Sequence, residues 1–177
     1  MPDPVPSGRA RTLPGAWYAD PTHHQLELER VFGREWVGVA ATDVVAAPGS
    51  FVATEVGGRV PVLIVRDDEG TLRAFLNVCR HRGAPIAEGA GHTRALRCPY
   101  HAWVYRLDGS LARATGVGDE GFDPCEFGLK EVGVATFARN VLVNLAADRA
   151  PFDPGPLVTG LEPYALDGLE VGTRDSW

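Results

Sequence analysis

Two short segments of this chain each carry one thiol and one imidazole, Cys79-Arg80-His81 and Cys98-Pro99-Tyr100-His101, with sixteen residues between them. That feature constrains the fold more than any other, because four such donors serve one metal group only if two tight loops are brought side by side. Two Cys and two His suit tetrahedral zinc, but common zinc modules pair Cys with Cys and His with His. The interleaved order fits a binuclear cluster better, since each loop then reaches both metals. The chain has only three cysteines. So few make a poor disulfide framework and point to metal binding in a reducing compartment, with Cys125 expected as an unpaired thiol.

The rest of the chain reads as a β-domain that could carry such loops. At 177 residues and 45% hydrophobic it is long enough for one packed domain plus an extension. Residues 1–15, rich in Pro, Gly and Arg, read as an extended lead-in. Asp20-Pro21-Thr22, followed by Leu26, Leu28, Val31, Phe32 and Trp36, predicts one short helix. Short β-branched segments follow at 51–56, 60–66 and 72–78, divided by Pro48-Gly49, Gly57-Gly58 and Asp68-Glu69-Gly70. Asp108-Gly109 marks a hairpin turn between a strand at 103–107 and the residues from Ser110. Residues 116–128 read as a surface loop, and 130–137 and 141–145 as two more strands. The domain is expected to span 16–148, with 149–177, rich in Pro, as an extension toward a catalytic domain or partner.

A net charge of −6, with acidic and basic residues mixed along the chain, offers no basic stripe for nucleic acid. No signal peptide or span of about 18 apolar residues is visible, so a soluble cytoplasmic protein without a membrane partner is expected.

The two motifs with their flanks, CRHRGAP from Cys79 and CPYHAWVYRLDGSL from Cys98, resemble the Rieske domain of the large subunits of ring-hydroxylating non-haem iron oxygenases. The likeness extends to ELERVFGREWVGVA, the Pro48-Gly49-Ser50-Phe51 turn and GFDPCEFGLKEV, and covers about residues 13 to 175. It implies an all-β fold, an antiparallel sandwich with a cluster-binding hairpin subdomain and one short N-terminal helix. It also implies one 2Fe-2S cluster held by Cys79, His81, Cys98 and His101. Two thiolates and two neutral imidazoles leave the oxidised cluster uncharged, where four thiolates would leave it at minus two, so it takes an electron more easily.

Respiratory-type Rieske proteins carry cysteines where this chain has Ala84 and Tyr100, and a serine where it has Trp103. The potential is therefore expected near the lower end of the Rieske range, around −150 mV. Arg80 and Arg82 are candidates for tuning that potential or docking an acidic partner, and Tyr100 and Trp103 for shielding the cluster from water. Ala102 stands where glycine is usual beside His101.

In the oxygenases a further domain binds a mononuclear iron through two His and one carboxylate. This chain has five His in all. Two are committed to the cluster, His23 and His24 fall on the predicted helix, and His92 falls in the loop between the motifs. No catalytic residue is therefore assigned. The resemblance implies an electron relay, from a reductase or ferredoxin to a mononuclear iron on another polypeptide or an absent domain, with His101 as the electron exit. A free-standing Rieske ferredoxin is the alternative, and a colourless zinc module the reading outside redox chemistry.

Overall fold

The computed structural model describes residues 12–118 and 121–164. It opens with a 3-10 turn at Gly15–Tyr18 and helix α1, Pro21–Glu27, which runs into a π-helical turn at Leu28–Phe32. The Asp20 side chain accepts from Thr22 N–H at 2.8 Å and Pro21 fills the first turn, as the sequence pattern implied.

Ten strands follow. They are β1 (Val37–Ala41), β2 (Ser50–Val56), β3 (Val60–Arg66), β4 (Leu72–Leu76), β5 (Ala90–His92), β6 (Leu96–Arg97), β7 (Val104–Tyr105), β8 (Leu111–Arg113), β9 (Gly133–Phe137) and β10 (Asn140–Asn144). Helix α2, Gly155–Leu161, lies in the extension. The strands form three antiparallel sheets, ordered β1-β10-β9, β4-β3-β2-β5 and β6-β7-β8. The fold is thus mostly antiparallel β with a short N-terminal helix.

The four-stranded sheet lies between the other two, and the unbroken apolar run of β3 reflects this. Val62, Leu63, Ile64 and Val65 are all fully buried. Alternation sends Val62 and Ile64 to an aliphatic core with Val141 and Val143 of β10. Leu63 and Val65 go to a second core with Phe75, Leu96, Tyr105 and Leu111. That second core carries the hairpins with the four candidate donors. Their placement is fixed at the β7–β8 turn, where a side chain on Gly109 (φ +86°) would lie 2.4 Å from the Phe75 ring. Only glycine lets the hairpin settle on the sheet.

Three details differ from the sequence reading. Strand β4 stops at Leu76: Asn77 N–H still donates to Pro61 O at 2.9 Å, but Pro61 has no N–H to return, and the Asn77 side chain ties down a loop. The hairpin strands β7 and β8 are only two and three residues long. His92 ends strand β5 opposite Ser50, and does not lie in a loop.

Candidate metal centre

The two donor loops are closed by the same pair of hydrogen bonds. In the first, Cys79 N–H donates to Ala84 O at 2.8 Å and Gly83 N–H to Cys79 O at 2.9 Å. In the second, Cys98 N–H donates to Trp103 O at 2.8 Å and Ala102 N–H to Cys98 O at 3.1 Å. The fourth residue after each cysteine therefore turns back onto the cysteine carbonyl, at φ +75° for Gly83 and +56° for Ala102. Glycine reaches that region freely, whereas an L side chain there costs roughly 1–2 kcal/mol.

One side chain anchors each loop from behind. Asn77, buried, accepts from Ile86 N–H and Ala87 N–H and donates to Ala87 O at 2.8 Å. Thr115 donates its hydroxyl to His101 O, while its carbonyl accepts from Trp103 Nε1 at 3.2 Å.

These closures bring the four predicted donors into one neighbourhood. Cys79 and Cys98 are free thiols, 3% and 2% exposed. The imidazoles of His81 and His101 meet edge to face with centroids 4.6 Å apart. Trp103, 1% exposed, stacks on His81 at 4.8 Å and 8°. Tyr100 lies against His101 at 3.9 Å and is itself 63% exposed, so it covers that imidazole from the surface. Arg82 is exposed and Arg80 half-buried.

The electrostatics favour metal-ready donors. Burial, then the charges of His101 and Arg82, hold the His81 imidazole below its ordinary pKa, so it stays in the neutral form that ligates metals. The Tyr105 hydroxyl accepts from Arg80 N–H at 3.0 Å and lies 3.3 Å from Cys79 Sγ. Burial and that contact push its pKa far up, against the pull of Arg80 N–H, so the phenol keeps its proton for the sulfur. Tyr105 went unnoticed in the sequence, as did Asn77 and Thr115. A tyrosine two residues past Trp103 reads as a core aromatic until its hydroxyl is placed.

Among the described residues, two buried side-chain polar atoms lack a hydrogen-bond partner, Arg80 Nε and His81 Nδ1, and both lie in the first donor loop. Such an atom costs about 1–3 kcal/mol, and native structures hold few. No three His, Cys, Asp or Glu side chains among the described residues are gathered as a single ion requires. The donors come in twos, a pair of touching imidazoles and a pair of thiols that both act on Tyr105. A group of two metals with sulfur and nitrogen ligands fits that set, and it would give His81 Nδ1 a partner.

Residues 35–132 match the family described as the Rieske [2Fe-2S] domain. The chain belongs to that family. Its cofactor is accordingly one Rieske-type 2Fe-2S cluster. The choline monooxygenase of Amaranthus tricolor is 40% identical over 80% of this chain and 32% of its own length. The glycine betaine monooxygenase oxygenase subunit of Chromohalobacter salexigens is 38% identical over 93% of this chain and 38% of its own. Among solved structures, the quaternary ammonium Rieske monooxygenase CntA superposes with a TM-score of 0.76 at 33% identity, over 86% of this chain and 44% of that one. Naphthalene 1,2-dioxygenase with indole bound gives 0.74 at 31% identity, over 82% and 34%. This Rieske chain thus spans about a third of the length of the curated relatives it matches, the part that corresponds to the Rieske portion of oxygenase large subunits.

The remaining residues singled out in the sequence lie apart from the donors. His92 bonds through Nε2 to Pro48 O at 2.8 Å. His23 is half-buried with its ring 4.1 Å from that of Trp17, and His24 is exposed. Cys125 is an exposed free thiol. The lead-in before residue 12 and the extension beyond 164 lie outside the described residues. Among the described residues no helix is long and apolar enough to cross a membrane.

Proposed function

We propose that Cys79 and Cys98 hold one iron, and His81 and His101 the other, of a 2Fe-2S cluster that serves as the electron relay of a non-haem iron oxygenase. The observation that carries this reading is the meeting of two imidazoles and two buried free thiols between loops closed by matching hydrogen bonds. When bound, the cluster takes up and gives back one electron at a time. The side chains around it do the rest. Trp103 keeps water from His81, Tyr105 offers a proton to the Cys79 sulfur, and Arg80 brings positive charge close by. His101, half-buried under the exposed ring of Tyr100, is the side from which an electron leaves.

The polypeptide at either end of the Rieske domain supports a component of a larger oxygenase over a free ferredoxin. Leu13, Trp17, Tyr18, Leu26 and Val31 on the N-terminal side, and Leu157, Val158 and Tyr164 on the other, are exposed apolar groups. We take 16–148 as the Rieske unit and the flanking segments as surfaces for a mononuclear iron domain or subunit. A reductase or ferredoxin would supply the electrons in a reducing cytoplasm, as the free thiols suggest. The relatives named for choline, glycine betaine and quaternary ammonium substrates make such a cation the substrate we infer for the whole enzyme.

The test is reconstitution of the purified chain with ferrous iron and sulfide. A red-brown protein is expected, whose dithionite-reduced form gives a two-iron EPR signal with nitrogen couplings from two imidazoles. A colourless, EPR-silent protein that binds one zinc would overturn the reading.

A further inference from the structure

Charge is not evenly mixed in this chain, contrary to the reading of its sequence. From Cys79 to Thr115, the stretch that builds both donor loops and the hairpin sheet, six arginines stand against two carboxylates, a net of +4. The whole chain is at −6, which leaves −10 for the remainder. The strand register shows where part of this charge lies. Arg97, Val104 and Arg113 are cross-strand partners on β6, β7 and β8, and so share one face of that sheet. Leu96, Tyr105 and Leu111 are partners on the other face and are buried in the core.

Arg97, Arg106 and Arg113 are exposed, and Arg97 directly precedes the donor Cys98. Among the described residues Arg97 and Arg113 make no ion pair. The carboxylate of Asp108 is taken up by Ser110 in the hairpin turn. Phe122 and Phe127, after β8, pack against the buried ring of Trp103.

We propose that this arginine face is the docking surface for an acidic protein that delivers electrons, so that electrons arrive across the hairpin sheet and leave by His101. The inference rests on the relay function proposed above. A cationic face on an otherwise anionic molecule orients an acidic donor with the cluster loops toward it and repels it everywhere else. Guanidinium groups suit the task, since they pair with carboxylates through two parallel hydrogen bonds. The partner is a protein rather than a nucleic acid or an anionic membrane, because the basic face is small and the bulk of the chain carries negative charge.

The test is stopped-flow reduction of the cluster-loaded chain by a reduced, acidic plant-type 2Fe-2S ferredoxin. The second-order rate constant is expected to fall about tenfold or more between about 20 and about 500 mM salt. The double variant R97E/R113E should lose at least that factor at low salt and speed up as salt is added. The control R30E/R59E makes the same change in net charge with exposed arginines outside the hairpin unit, and should stay near the wild-type rate. R97Q and R113Q repeat the test more gently should the double variant fold poorly. EPR and midpoint potential of every variant show whether the cluster is intact. A chain that forms no cluster refutes the relay itself. An intact cluster reduced at a salt-independent rate, or slowed equally by both double variants, refutes the docking face alone. Binding to duplex DNA or anionic vesicles that R97E/R113E abolishes, with ferredoxin reduction unaffected, would also overturn it.

Discussion

The two donor loops are closed by the same backbone hydrogen bonds, yet one is relaxed and the other strained. The first places Gly83 at φ +75° where the chain turns back on Cys79, and the second places Ala102 at φ +56° where it turns back on Cys98. The first is anchored by three hydrogen bonds from buried Asn77, the second by the hydroxyl and carbonyl of Thr115. One half of the site thus rests on an amide set in the protein interior. The other depends on local contacts around Trp103 and carries a methyl group in a conformation that glycine holds more easily. The lesson is that a shared hydrogen-bond pattern, not a shared side chain, makes a donor loop.

The largest way to break the comparison is to remove a donor. Cys79→Ser and Cys98→Ser are each expected to bring iron and acid-labile sulfide close to zero per chain, measured on reconstituted protein, because the iron the two cysteines share loses half its protein ligands. If one variant keeps its cluster, the loops are not equivalent partners. Next come the anchors. Asn77→Ala leaves two N–H groups and a carbonyl unpaired in a buried site and should cost about 2–4 kcal/mol in denaturant unfolding, against about 1 kcal/mol for Thr115→Val. Equal losses would remove the contrast between interior and local anchoring.

The turn-back residues allow a reciprocal test. Gly83→Ala should destabilise by about 1–2 kcal/mol, since it imposes on the first loop the strain the second already bears. Ala102→Gly should stabilise by about 0.5–1 kcal/mol, the relief of strain exceeding the added freedom of the unfolded chain. Both are read from the midpoint of urea unfolding. The smallest effect concerns potential. Tyr105→Phe removes the hydroxyl beside Cys79 Sγ and should lower the midpoint potential by about 20–60 mV, the size of one ordinary hydrogen bond for a one-electron couple. Film or solution voltammetry decides it, and an unchanged potential would mean the hydroxyl serves only Arg80 N–H.

These contrasts divide what could be read in the sequence from what could not. The four candidate donors that the fold brings together, the strands β2 and β3 and the Asp108-Gly109 turn were legible because each depends on residue type at short spacing. The strands β1, β5 and β6 were not, since Gly38, Gly91 and the two residues Leu96 and Arg97 show no alternation long enough to count. The β9–β10 turn gave no signal either. It is built from Ala138 and Arg139 at φ +47° and +64°, where Asn-Gly would have announced it. Within the site, Asn77, Thr115 and Tyr105 act through partners 10, 14 and 26 residues away, a separation that only the fold resolves.

Strand β3 has a consequence for how such a protein can be taken apart. Its odd and even residues belong to different cores, so the hairpin unit is not a cassette that can be cut out and grafted elsewhere. Excision would bare Leu63, Val65 and Phe75 on the sheet left behind and strip the hairpins of their floor. A tuned electron relay therefore has to be exchanged between hosts as a whole sandwich, and shuffling breakpoints belong in the segments before β1 and after β10.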